Sequence, residues 1–325
     1  MSGSWMRNLT GIVMCGWAAI AGAENKPLTI AVIPKGTTHV FWKSVEAGAK
    51  AAGAELGVNI VWKGPIKEND RAQQIAIVEQ FTAEKVDGIV LAPLDDTALQ
   101  RPVAAATAKG IPVVIFDSAL KGEAGKDFAS LVATDNRKGG SMGGERLGEL
   151  LGGKGDVVLL RYQVGSASTD EREAGFLEAI GKHPDVKLLV DNRYAGATAG
   201  EAKNAAMNLL DKLREAEGIF CPNESSTFGM LLALRQSNLN GKVRFVGFDT
   251  SPPLVEALRN KDIDALVAQN PTRMGYLGVR TCVDRIRGQQ VEPRVDTGVR
   301  LITRDNLNDP EIRELLGSGE TGKGR

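Results

Sequence analysis

The chain has 325 residues, 42% hydrophobic and 25% charged, a balance of globular proteins large enough for two cores and unlike disordered or fibrous chains. Basic and acidic residues each total 40, so no net field draws in nucleic acid or an anionic membrane, and the basic arms of nucleic-acid binders are missing. Glycine is frequent at 38 residues and aromatics make up only 5%, which suits many tight strand-to-helix turns.

Residues 1–23 are expected to be a cleaved signal peptide. Arg7 gives a positive start, an apolar stretch free of acids runs from Leu9 to about Ala21, and Ala21-Gly22-Ala23 places small residues where a signal peptidase reads them. The stretch is too short for the ~20 apolar residues of a spanning helix. Lipoprotein cleavage before Cys15 is disfavoured, because Met14 is bulky where a small residue is needed.

Beyond it, short apolar β-rich runs alternate with segments of helical period. Strands are predicted at 28–34, 58–62, 87–93 and 111–118, with helices at 41–56, 70–85 and 97–109 between them. After "FASLVATDN" a second series begins, with helices at 139–151, 168–180, 199–213, 227–237 and 253–260. Its strands are "DVVLLRY", "VKLLV", "GIFCP", "VRFVGFD" and "DALVAQNP", followed by a helix at 274–287 and a late strand "GVRLIT". Such βα series imply parallel sheets with right-handed crossovers and helices on both faces. No long Gly/Ser linker separates the series, which favours several short hinge strands over a single crossing.

Of three cysteines, Cys221 and Cys282 lie beyond the signal segment, in a strand end and on a helix face. Two separate buried thiols are expected, although an exported protein also permits a bridge. His39 and His183, the two histidines, are far apart, and no metal-ligand spacing occurs.

In doubly wound sheets, ligands bind beyond the carboxyl ends of the strands. Polar residues stand at nearly all of these ends: Lys35 and His39, Asp95, Asp117 and Ser118 in the first series, and residues 163–169 with Arg172, residues 194–198, Asn223, Glu224, Asp249 and Gln269 in the second. Asp117, Asn223 and Asp249 equally suit helix capping, and the sequence leaves both readings open for each. Phe41 and Trp42 open the first helix, and adjacent helical positions diverge by about 100°, so at least one is expected to line the cleft. Aromatic faces with Asp, Asn, Arg and Gln are what the apolar faces and hydroxyl edges of carbohydrate rings require. No dinucleotide fingerprint, P-loop, nucleophile elbow or nucleophile–base set is present, so neither catalysis nor a cofactor is expected.

The strings "TIAVIPKGTTHVFWKSVEAGAKAAGAELG", "VDGIVLAPLDDTAL", "GIPVVIFDS", "STDEREAGF", "GIFCPNESSTFGMLLAL", "VRFVGFD" and "ALVAQNPTRMGYLGV" carry a resemblance to the ribose-binding-protein family of periplasmic solute receptors, from about Leu28 to Leu307. The resemblance implies an α/β type I periplasmic binding fold: two doubly wound parallel-sheet lobes joined by a multi-strand hinge. One lobe would hold residues 27–133 and 271–296, the other 134–270 and 297–307, leaving 308–325 as a tail. Crossings would fall near Thr134, Asn270 and Thr297. It implies sugar contacts from His39, Phe41, Trp42, Asp117, Arg172, Asn223, Asp249 and Gln269. Ser118 stands where the family often has arginine, Ala92 cannot donate so Asp95 is expected to substitute, and Lys35 and Glu224 add charge. The implied function is periplasmic: a monosaccharide or sugar alcohol bound by hinge closure and passed to the membrane permease of an ABC transporter, with no membrane insertion after signal cleavage. The alternative is a sensor subunit that presents a sugar to a membrane kinase. The same fold serves sugar-responsive repressors, but no helix-turn-helix precedes Leu28, which excludes DNA binding.

Overall fold

The computed structural model describes Met1 and residues 26–317. The expected signal peptide and Cys15 lie outside the described residues.

The first series folds as β1 (Thr29–Ile33), α1 (Val40–Leu56), β2 (Asn59–Trp62), α2 (Arg71–Glu84), β3 (Gly88–Leu91), α3 (Gln100–Ala108), β4 (Val113–Phe116) and β5 (Ser130–Ala133). The second continues as α4 (Asn136–Leu151), β6 (Lys154–Arg161), α5 (Ala167–Ile180), β7 (Asp185–Tyr194), α6 (Ala199–Met207), α7 (Leu210–Glu215), β8 (Gly218–Phe220), α8 (Glu224–Gln236), β9 (Arg244–Phe248), α9 (Pro252–Arg259) and β10 (Ala265–Gln269). The chain then forms α10 (Pro271–Ile286), β11 (Arg294–Asp296), β12 (Val299–Ile302) and α11 (Pro310–Leu315).

Two six-stranded sheets result, ordered β11-β5-β4-β3-β1-β2 and β12-β10-β9-β8-β6-β7. All pairings are parallel except β12, which runs antiparallel to β10. Each sheet carries a lobe, and the positions match: β1, β2, β3, β4 and β5 correspond to β6, β7, β8, β9 and β10. Central strands such as β3 (GIVL) and β4 (VVIF) are buried along their whole length. A parallel strand covered by helices on both faces needs an unbroken apolar run, not alternation. Each sheet accordingly has apolar clusters on both faces, with α2 and α3 opposite α1 and α10, and α6, α8 and α9 opposite α4 and α5.

One packing device occurs in both lobes. A Cβ added to Gly48 of α1 would lie 1.9 Å from the carbonyl oxygen of Thr272, and one on Gly275 of α10 would lie 2.0 Å from that of Val45. In the other lobe, a Cβ on Gly140 of α4 would lie 1.9 Å from the Arg172 oxygen, and one on Gly175 of α5 would lie 2.0 Å from the Arg137 oxygen. The helices meet backbone to backbone, and no larger residue fits either seam.

Some boundaries differ from expectation. The helix expected over 199–213 breaks into α6 and α7 around Asn208 and Leu209. Residues 310–315 form α11, and Ile312 packs into the second lobe's core. Cys221 and Cys282 are separate, buried free thiols in different clusters.

Candidate ligand-binding site

Residues from both lobes converge on one cavity at the carboxyl ends of the strands. Lys35 and His39 follow β1, Asp117 follows β4, and Tyr162 follows β6. Arg172 projects from α5, Asn223 and Glu224 stand at the start of α8, Asp249 follows β9, and Gln269 ends β10.

The local backbone explains why these side chains face inward. His39 occupies the N-cap position of α1 without making a capping bond, so its ring is free for the cavity. Asp117 and Asp249, each directly after a strand, hold left-handed backbone with φ of 62° and 70°. That conformation is uncommon for a side-chain-bearing residue and is typical of strained functional positions. Asn223 caps α8 through a reciprocal capping box with Ser226. Asp249 also caps, but not the helix its position suggests: its Oδ2 accepts from Glu224 N of α8 at 2.9 Å, while its Oδ1 accepts from Gln269 Nε2 at 2.8 Å.

The first lobe contributes an electrostatic hub. Glu68, on the segment between β2 and α2, accepts at Oε1 from Trp42 Nε1 (2.8 Å) and pairs with His39 Nδ1 (3.0 Å). Burial alone would raise the Glu68 carboxyl; the hydrogen bond and charge of His39, the charge of Lys35 and the Trp42 bond bring it down to about 2. Burial likewise works to lower the pKa of His39, but the Glu68 bond and charge, with Glu224 and Asp249, raise it to about 9. Lys35 pairs with Asp117 at 3.0 Å and donates across the cleft to Ser168 Oγ at 3.0 Å.

The second lobe contributes Arg172, which is 2% exposed. Its Nε donates to Asn136 Oδ1 (2.8 Å) and its Nη1 to the Pro222 carbonyl (3.0 Å), while the guanidinium lies 4.0 Å above the Phe248 ring. Its Nη2 is buried without a partner. The acids of its own helix do not pair with it, so Arg172 is not a surface ion-pair residue. Burial lowers its pKa against the charges of Asp249, Asp117 and Glu68, and burial raises those of Asp249 and Glu224.

Of the residues singled out from sequence, His39, Phe41, Trp42, Asp117, Arg172, Asn223, Glu224, Asp249 and Gln269 line this cavity. Both aromatics reach it, and Trp42 also packs edge-on to Phe116 at 6.1 Å. Asp95 stands apart from this lining: Oδ1 accepts from the N–H groups of Thr97 and Ala98 and Oδ2 pairs with Arg71 at 2.9 Å. Ser168 and Thr169, within the 163–169 strand end marked from sequence, also line it, whereas sequence reasoning missed Glu68 and Tyr162. The available signal for Glu68 was positional, since the end of β2 was the strand end of the first sheet left without a candidate. Among the described residues there is no cluster of metal-binding side chains and no helix long and apolar enough to cross a membrane.

Comparison with known proteins agrees with this architecture. The family model described as "Periplasmic binding protein domain" matches residues 30–290. The ribose import binding protein of Haemophilus influenzae is 30% identical over 91% of this chain and 98% of its own length. The D-allose-binding periplasmic protein of Escherichia coli is 30% identical over 86% of this chain and 90% of its own. Among solved structures, a carbohydrate transporter solute-binding protein from Agrobacterium radiobacter in complex with D-arabinose aligns with a TM-score of 0.85 at 34% identity, covering 89% of this chain and 99% of that one. An ABC transporter solute-binding protein from Agrobacterium vitis with bound D-fucose gives 0.85 at 33% identity, with the same coverage. With two matching lobes, a cavity between them and these relatives along nearly its whole length, the chain belongs to the periplasmic binding protein family.

Proposed function

We propose that this chain is the solute-binding protein of an ABC transporter and that it holds a monosaccharide or sugar alcohol in the interlobe cavity. The observation that carries this reading is the buried, unpartnered Nη2 of Arg172 in a cavity lined by carboxylates from both lobes. A buried guanidinium donor without an acceptor is costly, and a ligand hydroxyl or ring oxygen removes that cost. Ribose, allose, arabinose and fucose are named for the relatives and bring hydroxyl edges for Asp117, Asn223 and Asp249 and an apolar face for Phe41 and Trp42.

The lobes comprise residues 27–133 with 271–296, and 134–270 with 297–307, and the crossings near Thr134, Asn270 and Thr297 act as the hinge. Thr134 donates to Gln269 Oε1 at 3.0 Å and meets Thr297 at 3.3 Å, which supports coupling of the crossings to the site. Residues 1–23 direct export to the periplasm, the mature chain begins at or near Glu24, and the closed protein docks on a membrane permease.

A thermal-shift screen over D-ribose, D-allose, D-arabinose, D-fucose and the pentitols tests the reading. A ligand at about 100 times its Kd adds ~2.7 kcal/mol to stability. Arg172→Lys, which keeps a charge but loses the fork, is expected to weaken the best hit by about ten- to a hundredfold in calorimetry. The absence of any stabilising sugar or polyol would sink the proposal.

A further inference from the structure

We infer that Glu68 is an interlobe latch that also positions the ligand-facing side chains of the first lobe, so that closing the cleft and setting the site are one event. The inference rests on the sugar-binding reading and deepens it. Glu68 belongs to the first lobe, yet its Oε2 accepts from Tyr162 Oη of the second lobe at 2.8 Å, and its backbone oxygen accepts from Gln163 Nε2 at 2.8 Å. Its Oε1 holds Trp42 Nε1 and His39 Nδ1 at 2.8 and 3.0 Å. One 6%-exposed carboxylate thus touches the opposing lobe on one oxygen and two cavity-lining rings on the other.

The chemistry follows from donor count. An ionised carboxylate only accepts, and charge-assisted bonds of this kind are roughly twice as strong as neutral ones. When the lobes part, the Tyr162 and Gln163 donors leave and Glu68 keeps only His39 and Trp42. When they close, the phenol returns and donates to the remaining oxygen. With Nδ1 committed to Glu68, the imidazolium of His39 turns its Nε2–H to the cavity as a charged donor. The other charged groups around this network are Lys35 and Asp117 from the first lobe and Arg172, Glu201, Glu224 and Asp249 from the second. None replaces Glu68 as a hydrogen-bond partner of His39 Nδ1.

Two variants separate the roles. Glu68→Gln keeps the shape and removes the charge, and Tyr162→Phe removes only the interlobe bond. His39 and His183 are the two histidines, so the titration of His39 is readable by NMR after assignment with His183→Gln, without any sugar. Closure is read from interlobe distances between spin labels at Glu123→Cys and Asn192→Cys in the mature chain, whose own thiols Cys221 and Cys282 are buried, also without sugar. The His39 midpoint is expected to fall from about 9 in the parent to below 6.5 in Glu68→Gln, and to stay close to the parent in Tyr162→Phe. The closed population is expected to drop about threefold or more in Tyr162→Phe. With D-arabinose as probe, affinity is expected to fall about tenfold in either variant and to become weaker at pH 8 than at pH 6 in Glu68→Gln alone. A His39 midpoint unmoved by Glu68→Gln overturns the positioning role, and equal closed populations in parent and Tyr162→Phe overturn the latch. A parent that binds no sugar rejects the sugar reading instead, because both other measurements are made without ligand.

Discussion

The two lobes end a central strand in the same way and then build different things on it. β4 finishes with Phe116 followed by Asp117, β9 with Phe248 followed by Asp249, and both aspartates hold left-handed backbone. In the first lobe the phenylalanine supports an aromatic ring, Trp42, and the aspartate pairs with Lys35. In the second it supports a guanidinium, Arg172, and the aspartate takes a backbone N–H and Gln269. The scaffold that aims a carboxylate into the cleft is repeated; the chemistry beside it is divided, with an apolar face and an ion pair on one side and a fork of donors on the other. A ring with one apolar face and a rim of hydroxyls needs both.

The glycine seams give the largest expected effects. Gly48→Ala and Gly140→Ala each drive a Cβ to 1.9 Å from a backbone oxygen, which the helices can relieve only by separating. Each is expected to cost about 3 kcal/mol, lowering Tm by about 6–12 °C for lobes of this size. Their effects on binding are expected to differ. The oxygen facing Gly140 is that of Arg172 itself, so Gly140→Ala should weaken sugar affinity more than tenfold, as a displaced charge-assisted donor does. Gly48 faces Thr272, away from the cavity, so its variant should bind within about threefold of the parent. Calorimetry and melting on the same two proteins decide it, and equal losses of affinity would break the comparison.

The lobes should also differ in their response to pH. In the second, burial raises Glu173 from 4.5 to about 7, against a backbone bond from Tyr162 and the charge of Arg161. Its folded form holds the proton more tightly, so this stabilisation is full below pH 4.5 and is lost as pH rises to about 7. In the first, Glu68 stabilises above pH 4.5 and loses its effect as pH falls toward 2, while His39 stabilises below 6.5 and loses its effect as pH rises toward 9. Urea midpoints are expected to fall between pH 5 and 7.5, and Glu173→Gln should remove ~2–3 kcal/mol of that fall. An unchanged slope in Glu173→Gln would place the titration elsewhere.

Smaller effects should sharpen the division of labour. Phe248→Leu removes the face beneath Arg172 and should weaken affinity about three- to tenfold, the size of a desolvated cation–π contact. Phe116→Leu loses only an edge contact to Trp42, which Glu68 still holds, and should bind within about twofold. If the two change affinity equally, Arg172 does not depend on its ring.

What the sequence revealed follows the same physics. The apolar runs of β1, β3, β4, β8, β9 and β10 were legible because strands buried on both faces must be apolar throughout. β11, the short edge strand Arg294–Asp296, carries no such run and passed unseen, as did the six-residue α11. Residues expected at strand ends line the cavity because the strand fixes their position. Glu68 comes from a connecting segment, where side-chain direction has no period to read, and Asp95, four residues past β3, turns away from the lining for the same reason. Gln74, which bonds the Pro34 and Ala92 carbonyls and Leu94 N, shows how such a loop is held by a helix residue far along the chain.

Asp95 supplies the smallest and most discriminating test. β3 and β8 are matching strands, and the segments after them run "LAPLD" and "FCPNE", so Leu94 stands opposite Asn223 and Asp95 opposite Glu224. Glu224 turns inward, with Oε1 accepting from Ser251 Oγ at 3.1 Å and burial raising its pKa. Asp95 turns to the lip, where it steadies Arg71, whose Nη2 reaches across to the Val164 carbonyl at 3.1 Å. Asp95→Ala is therefore expected to lose about 1 kcal/mol of stability through its two turn N–H bonds and to change sugar affinity less than threefold. Glu224→Gln, at the matching position, should weaken affinity about three- to tenfold. The opposite ranking in calorimetry would mean that the first lobe's third strand, not the second's, supplies the ligand contact, and the division between the lobes would have to be redrawn around Asp95.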